Sequence, residues 1–286
     1  MHSTLRLAAI LTVITFGSGF AAMAEPIKVV ASFSIIGDFA KQVGGERIAL
    51  TTLVGPNGDA HVYEPKPAAV VAVSQADVVL VNGLHFEGFL GRLVEASGTH
   101  ATIAELSKGI EPIAIAHEEG EEDHAGHDDA NGHDPHHGDT DPHAFQSVAN
   151  AKIYVQNIAQ AFCAADAAGC REYGANAAAY IARLDAVEAE VKDAIASIPA
   201  ERRVIITSHD AFGYFEKAYG LRMLAPEGIS TDAEASAADV AALIMQVKQQ
   251  KAAAIFVENI TNPRLIEQIS AETGIVVGGT LYSDAL

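Results

Sequence analysis

Tryptophan is absent from this sequence, so ligand binding cannot be followed through indole emission. Cysteine is nearly absent: Cys163 and Cys170, in FCAADAAGC, are the only two. Two thiols with no further cysteine or histidine cluster beside them make a poor metal site. In an oxidising compartment they read instead as a local disulfide pinning a helix end to the turn that follows. Basic residues are also scarce, 18 against 37 acidic, and the formal charge of -19 argues against a nucleic-acid partner, which selects for a basic face. Such a charge favours a cationic ligand, although solvated acidity is its plainer source. Beyond residue 24 no apolar run approaches the roughly 18 residues of a membrane-spanning helix.

What is present begins with an export signal. Arg6 gives a positive n-region, Leu7 to Phe20 an apolar h-region and Ala22-Met23-Ala24 a cleavage site, so residues 1–24 are set aside from the fold. No cysteine of the lipid-anchor kind follows the apolar run. The expectation is a free periplasmic protein.

From Pro26 onward, strand-like and helix-like segments alternate. Strand character appears at 27–32, 47–54 and 77–81, and helical character at 35–43, 65–75 and 86–96. This βαβα order predicts a parallel sheet flanked by helices. Asp141-Pro142 reads as the start of a helix that runs to about Cys163, with Asp141 as its cap. Tyr173, Ala177, Tyr180, Leu184, Val187, Val191 and Ile195 recur at spacings of three and four, which predicts a single amphipathic helix of roughly 40 Å. A second α/β unit follows, with strands at 203–207, 252–257 and 275–279 between helices at 211–219, 237–249 and 263–273. The fold class expected is therefore α/β, two lobes each with a mainly parallel sheet flanked by helices, joined by a long rigid helix. The lobes span 25–165 and 199–286 and the linking helix 172–198. The last strand has no helix after it, which suggests that the second lobe is truncated.

The twelve histidines are spread unevenly over this frame. His117, His124, His127, His133, His136 and His137 crowd a loop at 117–140 that lacks apolar periodicity. The stretch from Glu118 to Asp141 carries ten carboxylates and no basic residue. Imidazole is the commonest protein ligand for zinc, so this loop reads either as a weak auxiliary metal binder or as a solvated acidic linker. It is a poor candidate for the main site, because ordering it costs backbone entropy at every residue fixed. His61, His143 and His209 stand alone instead, each where a strand ends or a helix begins, the crevice in which open α/β sheets bind ligands. Asp284 follows the last strand in the same way. His85 and His100 fall in no such place and are set aside as structural or solvent-facing.

Five segments in order, GDAHVYEPKP (58–67), DPHAF (141–145), SHDAFGYF (208–215), FVENITNPRL (256–265) and GGTLYSDAL (278–286), resemble the metal-binding proteins of bacterial zinc and manganese ABC importers. The branch resembled is the zinc-specific ZnuA and AztC type with a His-rich loop. The resemblance covers nearly all of the mature chain. It implies that His61, His143, His209 and Asp284 are the metal ligands, that Zn²⁺ is held between the lobes as transported cargo, and that a membrane ABC permease receives it. A monomer, loaded by a periplasmic zinc chaperone and rocking only slightly on release, fits the same picture. Three imidazoles and one carboxylate suit tetrahedral zinc, and His209 stands where manganese-importing relatives carry Glu. Two departures are visible. Phe145 replaces a customary Trp, and Asp284 lies close enough to the last residue for its anchoring to fray.

The rival readings are a manganese-binding homologue, a periplasmic zinc buffer without a permease, and a zinc hydrolase. A hydrolase needs an open coordination position and a general base, and no convincing base is evident. Glu64 forms H-x-x-E with His61, but the proline-containing HVYEPKP is unlike the helical pattern of zinc peptidases. Glu258 has two readings, orienting a ligand imidazole or capping and packing. Binding needs neutral imidazoles, so affinity is expected to fall as pH drops through about 6.5.

Overall fold

In a computed structural model, residues 25–115 and 140–286 are described. The leader and the six clustered histidines lie outside the described residues. The first sheet contains β1 (Ile27–Phe33), β2 (Ile48–Val54), β3 (Val78–Val81) and β4 (Thr102–Glu105), all parallel, in the order β2-β1-β3-β4. Parallel neighbours need crossover connections, supplied by α1 (Ser34–Gly44), α2 (Pro67–Ser74) and α3 (Leu90–Ser97). Every side chain of β3 is buried, as expected of a strand covered on both faces. Pro67 opens α2, where its missing N–H has no partner to lose, and Gly98 closes α3 with a left-handed φ of 56°.

The second sheet contains β5 (Val204–Ile206), β6 (Arg222–Leu224), β7 (Ala254–Glu258) and β8 (Val277–Leu281), again parallel, in the order β6-β5-β7-β8. The two lobes thus share one strand order. Around it lie α6 (Gly213–Tyr219), α7 (Ala237–Gln250) and α8 (Arg264–Thr273). Ser236 and Asp239 form a reciprocal capping box at the start of α7. Sequence patterning missed β4 and β6, because TIAE and RML are too short and too polar to show a period.

Between the two sheets in chain order come α4 (Val148–Ala165) and α5 (Cys170–Ala196). The Cys163–Cys170 disulfide joins the end of the first to the start of the second. An ion pair from Arg47 to Asp166, 2.5 Å, lies beside it, and the Tyr173 hydroxyl donates to the same carboxylate. The helix expected from Asp141 does not start there. His143 is followed by a short 3-10 turn at Ala144–Gln146, and α4 begins only at Val148. The Asp141 carboxylate is engaged by His143 instead of capping a helix.

The expected apolar stripe of α5 is buried only in its first half, at Tyr173 and Ala177, while Val187 is exposed. Farther on, Ile195 and Ile198 border an apolar cleft of about 660 Å³, whose other wall includes Ile205, Met223 and Phe256 on one face of the second sheet. The opposite face of that sheet packs Ile206, Leu224 and Ile255 against α7 and α8. No helix among the described residues is long and apolar enough to cross a membrane.

Candidate metal centre

Both lobes turn the carboxyl ends of their strands towards a common crevice. His61 lies on the loop after β2, and its main-chain N–H donates to Asp59 Oδ1 at 2.9 Å, an Asx-type bond that fixes the loop. His209 follows β5 by three residues and Asp284 follows β8 by three. His143 comes from the segment ahead of α4. In the second lobe β5 and β7 are neighbours whose crossovers leave in opposite directions, the switch point where such sheets open a crevice.

The four side chains expected to meet do meet. One donor atom from each of His61, His143, His209 and Asp284 lies within 4.8 Å of all the others. His61 Nε2 is 3.1 Å from Asp284 Oδ2 and 3.3 Å from His143 Nε2. His209 Nε2 is 3.1 Å, and His143 Nε2 3.7 Å, from the same Asp284 oxygen. A tetrahedron with metal–nitrogen bonds near 2.0–2.1 Å has edges of about 3.3 Å, so these separations leave room for one ion at the centre. His143, His209 and Asp284 are wholly buried. The second carboxylate oxygen, Asp284 Oδ1, is buried without a hydrogen-bond partner, which a bound cation would relieve. His85 and His100 are exposed and take no part in the cluster.

Two of the imidazoles have a carboxylate behind them. His143 Nδ1 sits 2.8 Å from Asp141 Oδ1, and His209 Nδ1 sits 2.5 Å from Glu258 Oε2. A ring whose Nδ1–H donates outward presents the Nε2 lone pair inward, as a metal ligand must. The other Glu258 oxygen accepts the main-chain N–H groups of Ser208, at 2.7 Å, and His209, at 3.0 Å. Glu258 therefore orients the imidazole, and the capping alternative is set aside. Asp141 was missed in this role, although the i,i+2 spacing in Asp-Pro-His was a usable signal. Glu87 was missed altogether: buried, it accepts from Ser32 Oγ and from the Asn82 main chain. Burial pushes its carboxyl up to about 6, against the pull of those donors.

Electrostatics bind the cluster together. Burial disfavours a charged His143, but Asp284 and Asp141 outweigh it and lift the pKa to about 9. Burial likewise opposes a charged His209, and Asp284 and Glu258 raise it well above the ordinary value. Burial would raise Asp284, yet His143, His209 and His61 hold it well below the usual carboxylate range. Asp284 does not fray. The Leu286 N–H donates to Ser34 Oγ, and the Leu286 carbonyl accepts from the Asn57 N–H at 2.9 Å. Phe145 packs on Phe33 and Phe86 and lies edge-on to His143, filling the aromatic position without an indole.

A family model described as zinc-uptake complex component A periplasmic, ZnuA, matches residues 29–286. The chain belongs to the ZnuA family. The manganese-binding lipoprotein MntA of Halalkalibacterium halodurans is 32% identical over 262 residues, covering 92% of this chain and 81% of that protein. The iron-binding protein YfeA of Yersinia pestis is 32% identical over 292 residues, covering 99% and 88%. Among solved structures, the periplasmic zinc binding protein TroA from Treponema pallidum is 30% identical, with a TM-score of 0.80 over 92% of this chain and 90% of that one. The two-lobed α/β architecture is that of the family. Like other ZnuA-family members, the chain is an exported metal-binding component of an ABC importer that works with a membrane permease, and it is not an enzyme.

Proposed function

We propose that this ZnuA-family chain captures a single Zn²⁺ ion between its lobes, with His61, His143, His209 and Asp284 as ligands, and hands it to the permease. The observation carrying this reading is the convergence of three imidazole nitrogens and one carboxylate oxygen, all within 4.8 Å of one another and four of their separations between 3.1 and 3.7 Å, with Asp284 Oδ1 left unpartnered. Imidazole-rich sets favour zinc over manganese, which prefers oxygen ligands. Four protein ligands leave no open position for a reactive water, as suits transport.

Manganese is the second reading. Relatives are named for manganese, iron and zinc alike, and a second oxygen from Asp284 would raise the ligand count to five. Metal analysis of the purified protein with a Zn²⁺ against Mn²⁺ competition titration separates the two. One tight zinc equivalent is expected, and a preference for manganese overturns the zinc reading.

Proton competition begins higher than free histidine implies. With His143 lifted to about 9 and His209 raised as well in the metal-free cluster, zinc must displace protons at neutral pH, so affinity goes on climbing with pH instead of levelling above 6.5. The histidines at 117, 124, 127, 133, 136 and 137 are proposed as an auxiliary binder that gathers zinc or accepts it from a periplasmic chaperone. Deleting residues 117–139 is expected to lower zinc stoichiometry and leave one tight site. A monomer is the expected working state, checked by light scattering.

A further inference from the structure

The segment carrying His143 is gripped from both lobes. From the first, Asn82 Nδ2 donates to the Pro142 carbonyl at 2.9 Å, and Tyr154 in turn donates its hydroxyl to Asn82 Oδ1 at 2.6 Å. From the second comes Tyr214, a buried residue in the first turn of α6. Its hydroxyl donates to the Asp141 carbonyl at 3.0 Å and accepts the Ile113 N–H at 3.1 Å. Ile113 and Asp141 are themselves joined, Asp141 N–H to Ile113 carbonyl, 2.8 Å. The neighbouring Gly213 shows how closely α6 approaches: a Cβ there would lie 2.5 Å from Asp141 Oδ2. Although Tyr214 belongs to a helix of the second lobe, its ring packs within the hydrophobic cluster of the first.

We propose that Tyr214 is a positioning residue for metal retention. Its hydroxyl ties the second lobe to the main chain of Asp141, whose carboxylate holds the His143 ring. The placement of His143 Nε2 therefore depends on how the lobes sit against each other, and displacing α6 loosens a ligand that the other lobe contributes. A hydroxyl bonded as donor to one strand of the paired segment and as acceptor from the other makes this link directional. The proposal rests on the assignment of His143 as a ligand.

Tyr214→Phe keeps the ring and removes both hydrogen bonds. In stopped-flow release of zinc to a chelator, dissociation is expected to quicken by about three- to tenfold, the effect of a hydrogen bond or two, with association nearly unchanged. In a His143→Ala background, Tyr214→Phe should no longer alter zinc affinity in a competition titration, because the ligand it positions is gone. Tyr219→Phe is the control. It removes a hydroxyl from the same helix that bonds to Val148 N–H and Glu188 instead, and should leave release unchanged.

Unchanged release from Tyr214→Phe overturns the proposal. So does an equal loss of affinity in the His143→Ala background, or equal acceleration by Tyr219→Phe, since each would mean general loosening. Should His143→Ala itself leave zinc affinity intact, the ligand assignment falls and this role with it. Should His143→Ala weaken binding while Tyr214→Phe does not hasten release, the positioning role alone fails.

Discussion

His143 and His209 come one from each lobe and are held in different ways. The carboxylate behind His143 is Asp141, two residues away on the same segment. The carboxylate behind His209 is Glu258, forty-nine residues distant at the end of β7. Asp141 depends on a local turn and on grips from Asn82 and Tyr214. Glu258 is set by the sheet and binds the main chain of the Ser208-His209 turn as well as the ring. The first lobe holds its histidine through a loop that other groups must steady, and the second through a strand that needs little help.

The largest effect should come from the group shared by both sides. Asp284→Asn removes the charge facing all three imidazoles and is expected to weaken zinc binding by about a thousandfold in a chelator competition, as the loss of one partner in a buried charged cluster does. A loss under tenfold would break the account. Glu258→Gln and Asp141→Asn, which keep the size of the side chain, are each expected to lose about 10- to 100-fold in affinity. Glu258→Gln should lose more, since it also holds two main-chain N–H groups, and equal losses by calorimetry would erase the difference between the lobes.

Reducing the Cys163–Cys170 disulfide, which closes a short loop, should lower stability by about 2 kcal/mol in denaturant unfolding while leaving zinc affinity unaltered. An affinity loss would show that the α4–α5 junction reaches the site. A last effect concerns pH. His143 has a folded pKa near 9, above its ordinary 6.5, so its stabilisation of the metal-free protein is full below about 6.5 and is lost as pH rises through about 9. The metal-free melting temperature should fall by a few degrees across that window, and the zinc-loaded one should not. A flat metal-free profile would contradict the charged cluster.

Of the two supporting carboxylates, the distant Glu258 reads in the sequence as either orienting an imidazole or capping, and the local Asp141 reads only as a helix cap. Alternating apolar runs marked most strands and helices, and isolated histidines at their ends marked the crevice. Asp-Pro-His carried both a proposed ligand and its support within three residues, yet the aspartate read as a helix cap because the chain makes a 3-10 turn before α4. Glu258 left only one sign, an acid closing the apolar strand AIFVE, and nothing in its spacing tied it to His209. Glu87, Asn82 and Tyr154 left none, for their meeting depends on β1, β3 and α4 packing together. The anchoring of Asp284 likewise comes from Ser34 and Asn57, far away in the first lobe.

The division of donors between the lobes has a consequence for chelation. On the proposed ligand set each lobe contributes two, His61 with His143 and His209 with Asp284. While the lobes are closed, each pair presents itself to the ion at a high effective concentration set by the other. Any small parting that separates the pairs converts one four-toothed chelator into two two-toothed ones, and the loss of grip is multiplicative. Release then needs no large swing of either lobe, only enough displacement for the two halves to cease acting as one ligand.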